Sequence, residues 1–154
     1  MFDPDALMLL AAANGAPVLA ALLLGQRWAW PLDAGRCFID GRQLLGAHKT
    51  WRGLAAGTLA AALVGSAMHT GFWLGAAFGA LALVGDLVSS FTKRRLDRLP
   101  GQESLLLDPL PESLLPLLAL RRLLDLGLTE IVGTALLFAV LDFAVTRAWH
   151  ALRR

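Results

Sequence analysis

Asp86, Ser89, Ser90, Lys93 and Arg94 stand within one stretch, GDLVSSFTKRR, at residues 85–95. Counted from Asp86 their spacings are i+3, i+4, i+7 and i+8, which share one face of an α-helix. The opposite face carries Leu87, Val88, Phe91 and Arg95. An acid, two hydroxyls and two bases on one face suit a phosphate-bearing ligand. A carboxylate can hold Mg²⁺ that bridges phosphate oxygens. Lys and Arg take the remaining phosphate charge, and serine hydroxyls donate to the same oxygens. The preceding residues, FWLGAAFGALALV, are apolar, so the stripe closes a membrane helix. A carboxylate two turns inside a membrane costs roughly 2.5 kcal/mol and needs a cation or a metal. Arg95, on the other face, reads as an interfacial anchor.

Two polar segments offer partners. The first contains DAGRCFIDGRQLLGAHKTWRG, with Arg42, His48, Lys49 and Arg52 as candidate anion-binding groups. Gly35, Gly41, Gly46 and Gly53 punctuate it, so its backbone can turn tightly and approach a ligand. It lacks the spacing of a P-loop. The second contains LPGQESLLLDPLPES, in which Asp108 is either a turn residue or a second metal ligand beside Asp86. Glu112 reads as the first-turn acid of the next helix. Asn14, inside the first apolar segment, reads as helix-packing glue.

These groups need elements to position them. Hydrophobic residues make up 56% of the 154 and charged residues 17%, against about a quarter charged in soluble domains. An all-α integral membrane protein is expected, as a single domain over 1–154. The one cysteine, Cys37, excludes a disulfide framework and a cysteine-built metal site. The basic residues are not interleaved with aromatics, so no nucleic-acid partner is expected. Apolar segments fall at about 6–24, 53–68, from Phe72 into the stretch above, and 129–149, with a short segment at 113–127 interrupted by Arg121, Arg122 and Asp125. Both long loops and the C-terminus are rich in Lys and Arg, which places them in the cytoplasm. That requires about five transmembrane helices, with 113–127 crossing, and two cytoplasmic motif loops. The Ala, Leu and Arg-heavy composition suggests a bacterial inner membrane. A homodimer is left open.

GRCFIDGRQLLGAHKTWRG followed by GDLVSSFTKRRL, LPG and LLLDPLPESL resembles the CDP-archaeol synthase family, membrane cytidylyltransferases related to the CDP-diacylglycerol synthases. The resemblance implies five transmembrane helices and a reaction of CTP with a lipid phosphate, archaetidic-acid-like or phosphatidate-like. Mg²⁺ would assist, giving a CDP-lipid and pyrophosphate. By motif, Lys49 and Arg52 would meet the triphosphate. Asp86 would coordinate Mg²⁺, and Ser90, Lys93 and Arg94 would complete the phosphate site. Asp108 would match an acid that the family follows with glutamine; Pro109 stands there in this chain. The competing expectation is a non-catalytic membrane protein that binds lipid or an anionic ligand.

Overall fold

A computed structural model describes residues 1–96 and 109–152, and Asp108 lies outside the described residues. Five helices follow in order: α1 Pro4–Leu24, α2 Trp51–Ala67, α3 Phe72–Arg95, α4 Pro109–Ala119 and α5 Leu128–Leu152. Among the described residues there is no strand, only isolated bridges such as Pro31 with Thr50. Helices α1 and α3, and residues 128–148 of α5, are long and apolar enough to cross a membrane. Helix α2 has 17 residues. The chain is an integral membrane protein.

Helix α4 differs from the expected crossing at 113–127. Its 11 residues rise about 16 Å, half of the roughly 30 Å hydrocarbon core. It starts on Pro109, whose missing N–H costs nothing in a first turn. It ends before Arg121, Arg122 and Asp125, where Leu126 N–H donates instead to the Arg121 carbonyl at 2.8 Å. Three charges in five residues favour leaving the apolar core over continuing through it.

Side-chain capping fixes where α1 and α2 begin. The Asp3 carboxylate accepts from Ala6 N–H at 2.7 Å, with Pro4 opening α1. The Thr50 hydroxyl accepts from Gly53 N–H at 3.1 Å. Both are N-cap bonds, worth about 1 kcal/mol each. Pro17 interrupts α1 and leaves the Ala13 carbonyl without its helical donor. That carbonyl faces Gly57, where a Cβ would stand 2.4 Å from its oxygen. Gly57, Ala61 and Gly65 then form a small-residue stripe that lets α2 close on α1 and α3.

The core gathers Leu9, Leu10, Phe78, Leu117, Ile131 and Phe138 from α1, α3, α4 and α5. Helix α5 packs on α4 and on α1. Met1 O lies against Gly133, and Asp3 N–H donates to Thr134 Oγ1 at 2.9 Å. Trp28, Trp30 and Trp51 are exposed at one end of the bundle and Trp73 at the other, as interfacial aromatic belts require.

Candidate active site

A cavity of about 410 Å³ opens at the end of the bundle that carries the 25–50 loop. Its apolar wall includes Pro17, Val18, Ala21, Leu83 and Leu87. Its polar lining is Asn14, His48, Lys49, Thr50, Asp86, Glu112 and Asp142. Lys49 Nζ forms an ion pair with Asp86 Oδ2, joining the loop to α3. Glu112, on α4, is buried and lines the same cavity as Asp86. The cavity thus holds acids from three helices and one lysine, within an apolar surround.

Several expected groups sit elsewhere. Ser89 and Ser90 are buried against packing partners, not turned into the cavity. Ser89 Oγ donates to the Asp86 carbonyl at 2.9 Å, so it steadies the turn that carries Asp86. Arg52 Nη1 donates to the carbonyls of Gly25, at 3.0 Å, and of Arg27, which ties α2 to the end of α1. Arg42 Nη1 donates to the carbonyl of Arg95 at 2.6 Å. Lys93 and Arg94 are half-buried in the last turn of α3. The Arg94 guanidinium lies beside Gly46, where a Cβ would stand 3.5 Å from its Nε. Arg95 is no passive anchor, because it contacts the loop directly.

The loop is organised around Asp33, which is buried. Its carboxylate accepts from Gly35 N–H at 3.0 Å, Leu45 N–H at 3.1 Å and Gly46 N–H at 3.0 Å. Gly46 adopts φ +100°, which a side chain would strain. Burial alone would raise the Asp33 pKa, but the N–H donors from Gly46, Gly35 and Leu45 outweigh it and hold the carboxyl below its ordinary value. A depressed folded pKa means the carboxylate stabilises the loop above its unfolded pKa, about 3.9. That contribution fades as pH falls through the folded value. Protection of the Gly35, Leu45 and Gly46 amides, relative to their intrinsic exchange rates, should therefore hold from pH 7 down to about 4 and fall below it. In Asp33→Asn the same amides should exchange about tenfold faster at pH 7, since the amide side chain loses acceptors and charge. Unchanged exchange in that variant would remove Asp33 as the organiser.

Glu112 and Asp142 are the cavity groups that sequence reasoning missed. Glu112 carried a local explanation as a first-turn acid. Asp142 interrupts an apolar run, LLFAVLDFAV, and that isolation was a usable signal.

The family model for CDP-archaeol synthase, CarS-like, matches residues 6–70. The CDP-archaeol synthase of Pyrobaculum arsenaticum is 34% identical over 146 residues, covering 92% of this chain and 87% of that one. The chain belongs to the CDP-archaeol synthase family. The corresponding Pyrobaculum calidifontis enzyme is 36% identical over the same length and coverage. That of Thermofilum pendens is 40% identical over 103 residues, 64% of this chain and half of the relative's length. A solved structure, described as an intramembrane enzyme for archaeal membrane lipid biosynthesis, superposes with a TM-score of 0.69 at 30% identity. It covers 90% of this chain and 91% of its own. CDP-archaeol synthases are membrane cytidylyltransferases of lipid biosynthesis, and this chain is one of that class. These relatives are archaeal, so they lend no support to the bacterial membrane expected from composition.

Proposed function

We propose that this chain transfers CMP from CTP to a membrane lipid phosphate, forming a CDP-lipid and releasing pyrophosphate. The observation that carries the reading is the polar cavity set into the bundle, where Lys49, Asp86 and Glu112 converge beside an apolar wall. An amphiphile with a phosphate head and hydrocarbon tails matches both halves of that lining. The relatives are named for CDP-archaeol, so an ether-linked archaetidic acid is the first lipid phosphate to test and phosphatidate the second.

In this reading the lipid phosphate oxygen attacks the α-phosphorus of CTP in line, and pyrophosphate leaves. An ionised phosphate needs no strong general base. The protein supplies position and charge neutralisation. Lys49 contacts the triphosphate once it exchanges its Asp86 partner for phosphate oxygens. Arg94 and Lys93 carry the remaining phosphate charge from the last turn of α3, where cations also meet the negative helix terminus.

Asp86 and Glu112 would hold Mg²⁺. Among the described residues no group of three or more His, Cys, Asp or Glu is placed to hold a metal ion. Two carboxylates would suit Mg²⁺ nonetheless, because that ion is usually held by one or two carboxylates together with substrate phosphates, not by an all-protein cage. When bound, the ion would neutralise charge on the triphosphate. In this reading the loop end, which carries most of the Lys and Arg of the chain, faces the cytoplasm, as the positive-inside rule favours.

Purified protein incubated with labelled CTP, Mg²⁺ and each lipid phosphate in turn should form labelled CDP-lipid and pyrophosphate in equal amounts. Lipid binding without CTP consumption would assign the chain to a non-catalytic role.

A further inference from the structure

Arg95 lies off the phosphate-facing side of α3, yet it makes several contacts to the loop. Its Nη1 donates to Asp40 Oδ1 at 2.7 Å. Its Nη2 donates to the Gln43 carbonyl at 2.6 Å and reaches the Arg42 carbonyl at 3.4 Å. The guanidinium carbon lies 4.9 Å from the Phe38 ring centroid and 4.8 Å from that of Phe91. The two rings meet edge to face at 5.4 Å. In return, Arg42 donates to the Arg95 carbonyl at 2.6 Å, at the negative end of α3. Loop tip and helix end therefore each hold the other by a guanidinium.

The tip so held is a tight reversal. Phe38 N–H donates to the Arg42 carbonyl at 2.7 Å and Gly41 N–H to the Phe38 carbonyl at 2.9 Å. Below it, Leu44 N–H reaches the Arg36 carbonyl at 3.1 Å, and Asp33 takes the amides of Leu45 and Gly46. Lys49 N–H closes onto the Gly46 carbonyl at 3.1 Å. The loop is thus fastened at its tip by Arg95 and at its base by Asp33, and Lys49 leaves from the fastened base.

We infer that Arg95 is a positioning residue that sets the loop, and through it Lys49, for the CTP triphosphate. Arg95 itself stays with Asp40, Gln43 and the two rings and does not touch the nucleotide. Lysine cannot replace it, because an ammonium lacks the planar fork that serves a carboxylate and a carbonyl while stacking between rings. The inference rests on the proposed reading of Lys49 as a triphosphate contact.

The test uses Cys37, the sole cysteine, which is exposed beside the tip. A nitroxide attached there should be immobilised in the otherwise unchanged protein. It should become mobile in Arg95→Ala and only partly recover in Arg95→Lys. The same Arg95→Ala protein should show a KM for CTP raised about tenfold or more, with the KM for the lipid phosphate within about twofold. Added ethylguanidinium should restore part of that loss. Asp40→Ala, which removes the carboxylate that accepts from Arg95 and leaves the helix intact, should mobilise the label if Arg95→Ala does not fold. An immobile label in both variants, or equal rises in both KM values, would overturn the inference. If the parent protein consumes no CTP, the proposed reaction fails separately, and the label alone decides whether Arg95 holds the tip.

Discussion

Asp86→Asn should lower CTP-dependent product formation by about a thousandfold while the protein still folds and extracts from the membrane as before. The argument runs from α3 outward. Asp86 is the point where three separate elements meet, since it pairs with Lys49 of the loop and shares its cavity with Glu112 of α4. Asparagine keeps the size and one acceptor oxygen, so packing survives. It removes the charge that would hold a divalent ion and that keeps Lys49 directed at the cavity. The loss should therefore fall on kcat more than on CTP binding, and excess Mg²⁺ should not repair it. Glu112→Gln should cost less, about a hundredfold, with a raised Mg²⁺ requirement, because Asp86 remains. Measuring initial rates across an Mg²⁺ series for both variants separates the two carboxylates. Full turnover in Asp86→Asn would take Asp86 out of the reaction.

The spacing over 85–95 sets Asp86 on a polar helix face, and Asp86 lines the cavity, but the spacing does not show what covers its neighbours. Spacing tells which residues share a face. It does not tell which part of that face another helix occupies. Ser89 and Ser90 lie on the polar stripe but are buried, and Ser89 is spent on the backbone one turn below. Arg95 failed in the opposite sense. A cation at a helix end has a sufficient local explanation in topology, and its contacts with Asp40, Gln43 and Phe38 come from residues more than fifty positions earlier. Helix positions were readable because long apolar runs are local signals. The short α4 was not, since leucine-rich composition extends past the residue where three charges end the helix.

Glu112 follows the same logic, and its placement leads to the second large effect. Gly85 precedes Asp86 and is where α4 comes closest to α3. A Cβ on Gly85 would stand 2.2 Å from the Pro111 carbonyl oxygen, 2.5 Å from the Pro111 carbonyl carbon and 2.8 Å from Glu112 Cα. All three are backbone atoms in the first turn of α4, so no rotamer change can relieve the clash. In Gly85→Ala the start of α4 must move away, and Glu112 moves with it. The expected destabilisation is about 1–3 kcal/mol from forced repacking, read as a lowered melting temperature in detergent. Activity per folded molecule should fall further, by about a hundredfold, because a shift near 1 Å at a reacting site is enough for that. Helix propensity works against this outcome, since alanine favours a helix over glycine by about 1 kcal/mol. The opposing terms make the result discriminating. A Gly85→Ala protein that is more stable and fully active would mean that α4 does not approach α3 this closely, and that Glu112 does not share a site with Asp86. A protein that folds with a modest loss of stability and little turnover would show that the close contact at Gly85 is what brings the second carboxylate to the first.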